Sequence, residues 1–498
     1  MSLKVDNTKE KIIWLFYLVF ALCFTFVIAN VIFANEYFKT VPLIITSVLC
    51  LVIIFVIYTC LYKYVNVTVE RYKKILILFI GVLFVVEVVF GIILRYNPAW
   101  DVGAVHKGAA EWVETGTFES YYDYYYGCPN NLGPMAILAF FYKIASFFGV
   151  RDYYAVYVVV TSAIVNVTIA LVSLICVKIR DIYHGLFVLV LFALSVQYWF
   201  IGGSVYSDTM SMVFPILCLW LYLKEKDSDE KKLIIVYMLI GIISAIGSIA
   251  KFTTVVIVVA ILIHIGLTKK TKELLKAGGL FVSSIVIINL CFSGYIYSNH
   301  LDRDIAAVRN RPYLHWTMMG LKGDGRYNPD DFNFTDSIAD PDQKKEQVNA
   351  EVINRIKTLG VPGIYKLIGR KSAINFGDGT YGISDQLGMP KDNTTFLDKW
   401  VIYGGKRYNL YSTYATGMHI AIMIIMLAGA FLSVLKKNDK QKELLIPYLS
   451  LLGIWIVLFA WETNRRYTEN FVPMIFICAT VSMYNINKII KKRNRDLF

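Results

Sequence analysis

Apolar residues fall in long runs separated by short polar connections, and twelve of these runs are long enough to cross a bilayer core of about 30 Å as helices. They lie at roughly 12–34, 41–62, 74–95, 154–177, 184–201, 206–223, 233–250, 252–268, 277–298, 413–435, 444–461 and 470–487. A thirteenth run, 134–149, is short. The first run is long, a second follows quickly, and no small-residue cleavage site lies between them, so the sequence predicts a retained span rather than a signal peptide.

Composition supports this pattern. Hydrophobic residues make up 57% of the 498 residues and the mean hydropathy is +0.54, more than a soluble domain of this size needs. The expected fold is an all-α polytopic membrane protein of about twelve transmembrane helices. Four segments are expected: an N-terminal transmembrane hairpin (1–73), a membrane module (74–298) with a large loop at 96–152, a small extracytoplasmic α or α/β domain (299–412), and C-terminal transmembrane helices (413–498).

The net charge of +13 is concentrated in the short connections. Lys63, Arg71, Lys73 and Lys74 follow the second run, Lys224 to Lys232 the sixth, Lys269 to Lys276 the eighth, and Lys436 to Lys442 the tenth, and both termini are basic. Positive loops stay on the cytoplasmic side, so this charge marks an inner membrane surface facing anionic lipid and gives no reason to invoke nucleic acid. The alternation holds only if 134–149 lies in or dips into the interface, which puts both termini in the cytoplasm. Thirteen spans with one inverted loop is the competing topology.

Two long stretches then face outward. The first, 96–151, carries Asp101, a short amphipathic segment at 102–112 containing His106 and Glu111, and the cluster Tyr121-Tyr122-Asp123-Tyr124-Tyr125-Tyr126. Tyrosines in such a place serve first as headgroup-level anchors. The second, 299–412, is rich in Gly, Asp and Asn and includes His315-Trp316, Gly323-Asp324-Gly325 and Gly377-Asp378-Gly379, with a soluble helix expected over 340–359 from Pro341 onward. The Asp/Gly motifs lack the acidic alternation of a calcium loop and read as turns. Of the eight cysteines only Cys128 faces outward, so no external disulfide forms within one chain. No His or Cys pair has zinc spacing.

Ionisable groups at the outer ends of spans remain to be explained, because charge at the membrane boundary is costly without a partner or a task. They are Asp101 in Asn97-Pro98-Ala99-Trp100-Asp101, Asp208 in Tyr206-Ser207-Asp208-Thr209, Lys251 in Ala250-Lys251-Phe252-Thr253, and Arg465/Arg466 before Tyr467. Structural roles exist for each: Asp208 as a helix cap, Lys251 snorkelling, the arginines pairing with Glu462 or Glu469. Their convergence on one side from distant parts of the chain favours a site.

These residues resemble the membrane-embedded glycosyltransferases of the GT-C superfamily, in particular bacterial relatives of protein O-mannosyltransferases and aminoarabinose transferases. Asn97-Pro98-Ala99-Trp100-Asp101 with Pro129-Asn130-Asn131-Leu132-Gly133-Pro134 is similar to the family's first external loop, which carries its essential Asp. Ser207-Asp208-Thr209 resembles its second acidic site, Lys251-Phe252-Thr253 its Lys-Pro-Thr-like element, and Arg466-Tyr467 with Pro473 its late Arg-Tyr segment. The likeness spans about residues 74–490. It departs in the additional hairpin of spans at 12–62 and in Phe252, where the family has proline.

The resemblance implies an inverting transfer of sugar from a polyprenyl-phosphate carrier to an acceptor hydroxyl outside a bacterial plasma membrane, with a separate donor synthase and flippase. Asp101 is then the expected base and Asp208 a secondary acid, while Lys251, Arg465 and Arg466 bind the donor phosphate. His106, Asn130, Asn131, Tyr206, His315, Trp316 and Tyr467 are candidate substrate contacts. A phosphate leaving group needs cations rather than a general acid, so no metal is required; a divalent ion held by Asp101, Glu111, Asp123 and Asp208 is the alternative. A wall glycopolymer such as teichoic acid is the expected acceptor. The competing classes are a polysaccharide polymerase or ligase centred on Arg303, Arg309, Arg311 and His315, and a lipid-linked sugar flippase. The topology predicts that a cysteine placed at Asp152 reacts with an impermeant thiol reagent from outside and one at Asp181 only from inside; labelling of Asp181→Cys from outside overturns it.

Overall fold

The computed structural model describes residues 2–495, and among these no strand is present. The chain opens with α1 (Ser2–Phe33), α2 (Thr40–Tyr64) and α3 (Val69–Ile93). The first loop region holds α4 (Trp100–Thr115), α5 (Tyr122–Gly127) and α6 (Leu132–Phe147). The bundle continues through α7 (Tyr153–Ile179), α8 (Ile182–Leu194), α9 (Ser207–Ser211), α10 (Val213–Glu225), α11 (Glu230–Ala250), α12 (Val256–Thr268) and α13 (Thr271–Asn299). A polar segment folds as α14 (Arg303–Arg309), α15 (Leu314–Gly320), α16 (Pro329–Asp336), α17 (Pro341–Phe376), α18 (Ile383–Leu387) and α19 (Asp398–Val401), and the chain ends in α20 (Tyr408–Val434), α21 (Gln441–Ala460) and α22 (Val472–Arg495).

Among the described residues nine helices are long and apolar enough to cross a membrane. α7, α20 and α22 are mostly buried and form the centre, whereas α2, α3 and α13 turn most of their apolar surface outward, as lipid-facing helices do. α20 packs against α1, α2 and α22, and α7 against α3, α8, α10 and α22.

Three of the twelve apolar runs do not continue as single helices. The run 184–201 becomes α8 and then two 3₁₀ turns, Val196–Trp199 and Ile201–Gly203; 206–223 divides into α9 and α10; 252–268 opens with a 3₁₀ turn, Phe252–Val255, before α12. Each break sits at polar residues whose hydroxyls take up the carbonyls that the break frees. Ser195 Oγ donates to Leu191 O (2.8 Å), Thr209 Oγ1 to Ser204 O (2.7 Å) and Thr254 Oγ1 to Lys251 O (2.9 Å). Irregular backbone within an apolar bundle survives only where its polar groups are satisfied in this way.

The polar segment has a small core of its own, Met318, Val348 and Val352 with Leu321 against it. Asp302, Asn328 and Asp340 cap its helices through their side chains, and Arg355 ties them together with a two-pronged pair to Asp331 (2.6 and 2.8 Å) and a bond to Met318 O. α17 extends well beyond the expected 340–359 but is kinked at Gly360, whose φ of 55° needs glycine. Past the kink it joins the bundle, with Gly369 against Asn30 of α1 and Ser372 accepting from Trp455 of α21.

The first loop region packs on the bundle through α6, which meets both α7 and α11. α6 meets α11 at Gly133, where an added Cβ would stand 1.8 Å from Ile249 O. That contact brings Asn131, two residues before Gly133, towards Lys251, two residues after Ile249. A Gly133→Ala variant is expected to lose about 1–3 kcal/mol by overpacking, read as a lowered thermal midpoint in detergent; an unchanged midpoint would show that the two helices are free to separate.

Candidate active site

Asp101 lies in the first turn of α4, directly after Trp100, whose backbone is left-handed (φ 50°). A bulky residue in that region costs about 1–3 kcal/mol. The turn is held by a bond from Asn97 N to Pro390 O (2.7 Å), one from Asn97 Nδ2 to Asp392 Oδ1 (3.1 Å) and the packing of α4 on α6.

The carboxylate is fixed from one side. Tyr124 donates to Asp101 Oδ1 (2.7 Å) and accepts from Asn131 Nδ2 (2.5 Å). The Tyr206 hydroxyl is 2.8 Å from Asn131 Oδ1 and 3.4 Å from Asp101 Oδ2, so its single proton serves Asn131 better. Asn130 Nδ2 reaches the same Asn131 oxygen at 3.4 Å. Asp101 therefore has one anchored oxygen and one only weakly engaged, on a partly exposed side chain.

A second, drier cluster lies on the other side of Tyr206. Asp208, 1% exposed, accepts from Lys251 Nζ through Oδ1 and faces Arg466 Nε through Oδ2 at 3.3 Å. Lys251 sits over the Tyr467 ring at 4.8 Å and Arg466 over the Tyr206 ring at 4.4 Å, both cation–π distances. Tyr467 donates to Glu462, whose carboxyl burial pushes above the usual carboxylate range while Tyr467 and Arg466 oppose the shift. The Thr209 hydroxyl, whose proton goes to the closer Ser204 O, lies 2.9 Å from Glu469 Oε1, and Asn470 reaches Ser211 (3.1 Å) and Thr253 (3.3 Å), which brings α9, the Phe252–Val255 turn and the start of α22 together as one unit.

The two adjacent arginines diverge. Arg465 pairs with Asp385 and with Asp378 (3.3 Å) and lies over Tyr37 at 4.7 Å. Arg466 faces the Asp208 cluster: its Nε lies 3.3 Å from Asp208 Oδ2 as an ion pair without a well-formed hydrogen bond, and among the described residues no hydrogen bond engages its terminal nitrogens. Its fork is open to an anion.

Other expected contacts lie elsewhere. His106 belongs to an aromatic cluster, bonded to Tyr142 OH (2.6 Å) and packed on Tyr157, and burial lowers its pKa to about 4. His315 is buried against Thr335 (2.7 Å) and Trp316 stacks on Trp461. Arg309 pairs with Asp123, and Arg311 with Gly127 O and Asp336. Glu111 accepts from Ser120 N, so Asp101, Glu111, Asp123 and Asp208 are engaged separately, and among the described residues no group of three or more His, Cys, Asp or Glu side chains is arranged to hold a metal ion.

The family model described as "conserved hypothetical integral membrane protein" matches residues 2–486. The chain belongs to that family. It is a multi-pass, all-α integral membrane protein. No curated protein matches its sequence.

The candidate site of this integral membrane protein includes several residues that its sequence does not single out. Tyr124 lay among tyrosines read as anchors, and Asp378 and Asp385 lay in segments read as turns or left unread. Lys371, 2% exposed, donates to the carbonyls of Gly320 (3.3 Å), Phe459 (2.8 Å) and Trp461, and burial lowers its pKa to about 8. It caps the C-terminal ends of α15 and α21 together and so fixes where the strand of coil carrying Glu462 to Arg466 begins. The two carboxylates should separate in a stability assay. Removing Asp208 with Asp208→Ala leaves Lys251 and Arg466 uncompensated and should cost about 3–5 kcal/mol. Asp101→Ala removes one good hydrogen bond at a partly exposed group and should cost about 1 kcal/mol. Thermal unfolding in detergent reads both, and equal losses would sink the division.

Proposed function

We propose that this protein is an integral-membrane inverting glycosyltransferase of GT-C type, moving a sugar from a polyprenyl-phosphate donor to the hydroxyl of an extracytoplasmic glycan such as teichoic acid or a wall polysaccharide. The observation that carries the reading is the open guanidinium fork of Arg466, stacked on the Tyr206 ring whose hydroxyl reaches towards Asp101. One side chain thus links an anion-binding group to a carboxylate with a weakly engaged oxygen.

The chemistry follows from those two ends. The acceptor hydroxyl attacks the anomeric carbon from the face opposite the phosphate, and Asp101 Oδ2 takes its proton as the new C–O bond forms. The C–O bond to phosphate breaks and its electron pair leaves on the polyprenyl phosphate, which gains a second negative charge. Arg466 receives that charge on its two free nitrogens, and Lys251, paired with Asp208, adds positive potential from behind. Burial pushes the Glu462 carboxyl above the usual carboxylate range, and the negative charge of a phosphate bound beside it would push it further the same way. Arg465 has no part in this step because Asp378 and Asp385 neutralise it.

In this reading the site faces outward, both termini are cytoplasmic, some twelve membrane segments include the three broken ones, and a separate synthase and flippase supply the donor at a bacterial plasma membrane. The polymerase reading is less favoured, because Arg309, Arg311 and His315 are tied to Asp123, Asp336 and Thr335. With labelled polyprenyl-phosphate sugar and a wall-polymer acceptor, Asp101→Asn should lower turnover by at least about a hundredfold with an unchanged thermal midpoint, and Arg466→Ala should raise the donor KM. Activity should persist in excess chelator. Full turnover by Asp101→Asn, or transport of the lipid without bond formation, overturns the assignment.

A further inference from the structure

The bundle holds a second polar site, which the transfer reaction does not use. Glu87 lies within α3, a helix otherwise suited to cross the membrane, and is fully buried. Asn166, from α7, donates through Nδ2 to Glu87 Oε2 (2.7 Å) and to Ser162 O (2.9 Å). Only the amide nitrogen can serve two acceptors at once, so the amide orientation is fixed and Oδ1 is left over. The Ser162 hydroxyl also lies close enough to act on the Glu87 carboxyl, without the geometry of a well-formed hydrogen bond to it.

Three buried oxygens at this spot have no hydrogen-bond partner: Glu87 Oε1, Asn166 Oδ1 and Ser162 Oγ. The Ile201–Gly203 turn closes the site, since a Cβ on Gly202 would stand 2.5 Å from Ser162 Oγ and 2.8 Å from Glu87 O. Among the described residues no Lys, Arg or His pairs with Glu87. Among the described residues the titratable group near enough to interact electrostatically with it is Tyr198, buried with a hydroxyl that also has no partner.

An unaccompanied carboxylate in a membrane interior costs several kcal/mol, so the charge must be neutralised. The donors are all hard oxygens, which excludes soft metals, and a divalent ion would replace one uncompensated charge with another. We infer that Glu87, Asn166 and Ser162 bind one small monovalent cation, a proton or Na⁺, inside the bundle. Na⁺ would neutralise Oε1 and give the other two oxygens a shared partner, whereas a proton on Oε1 would neutralise it and donate to one of them. The site packs against the Ile201–Gly203 turn, from which the chain runs on through Ser204 to Asp208.

The purified full-length protein tests this without any transfer assay. Its thermal midpoint is measured as Na⁺ replaces choline at constant ionic strength, together with its infrared spectrum, for wild type, Glu87→Gln and Asn166→Leu. A Na⁺-dependent rise of several degrees, lost in Glu87→Gln and shifted at least about tenfold in concentration by Asn166→Leu, identifies Na⁺. No Na⁺ response, with a protonated carboxylic-acid band that disappears in Glu87→Gln or shifts in Asn166→Leu, identifies the proton. If Glu87→Gln fails to fold, Asn166→Leu carries both readouts. A wild type with no Na⁺ response and no acid band sensitive to these variants overturns the proposal.

Discussion

A carboxylate in a dry interior must be paired or protonated, and Asp208 is held there by two cations that arrive from far along the chain, Lys251 and Arg466. None of the three lies inside a long regular helix. Asp208 sits on the short α9, Lys251 in the gap between α11 and a 3₁₀ turn, and Arg466 in the coil between α21 and α22. Each break exposes backbone that an apolar bundle tolerates poorly, and the ion pairs with their neighbouring hydroxyl and amide bonds are what makes the breaks tolerable. The same breaks carry these side chains to one place, which continuous helices would have kept in separate registers.

This division explains what was legible in the chain. Long apolar runs predict helices well because a bilayer imposes one length and one backbone solution, and α1, α2, α3, α7, α11, α13, α20, α21 and α22 all follow their runs. Hydropathy cannot see where a run breaks: 184–201, 206–223 and 252–268 are as apolar as their neighbours, and the turns within them depend on tertiary bonds such as Thr209 to Ser204 O and on close contacts such as Gly202 against α3. The charged residues at span ends were visible as exceptions, since each is costly alone. Their pairing was not, because Arg465 and Arg466 have identical chemistry and only the fold sends one to Asp378 and Asp385 and the other to Asp208.

Tyr124 shows the opposite limit. A run of tyrosines beside a membrane reads as anchoring, and nothing in Tyr121 to Tyr126 marks one member as the donor to Asp101. α5 is too short to show a periodicity of its own, so which tyrosine faces inward is decided by how α5 and the turn at Pro129–Asn131 fold back on α4. Buried Tyr125, bonded to Ala104 O at 3.0 Å, fixes that fold-back and leaves Tyr124 aimed at the carboxylate.

The paired arginines carry the last step. A long cationic side chain loses about 2 kcal/mol of rotamer freedom when it is fixed, and a charge stabilises a developing anion best when it is already in position. Arg465 is clamped by two carboxylates and a tyrosine face, which fixes the backbone of its neighbour without using any of Arg466's donors. Tyr206, Tyr467 and Asp208 then restrain Arg466 through its guanidinium face and Nε. The cost of ordering is met by groups that never touch an incoming anion, and the two outer nitrogens stay free for it.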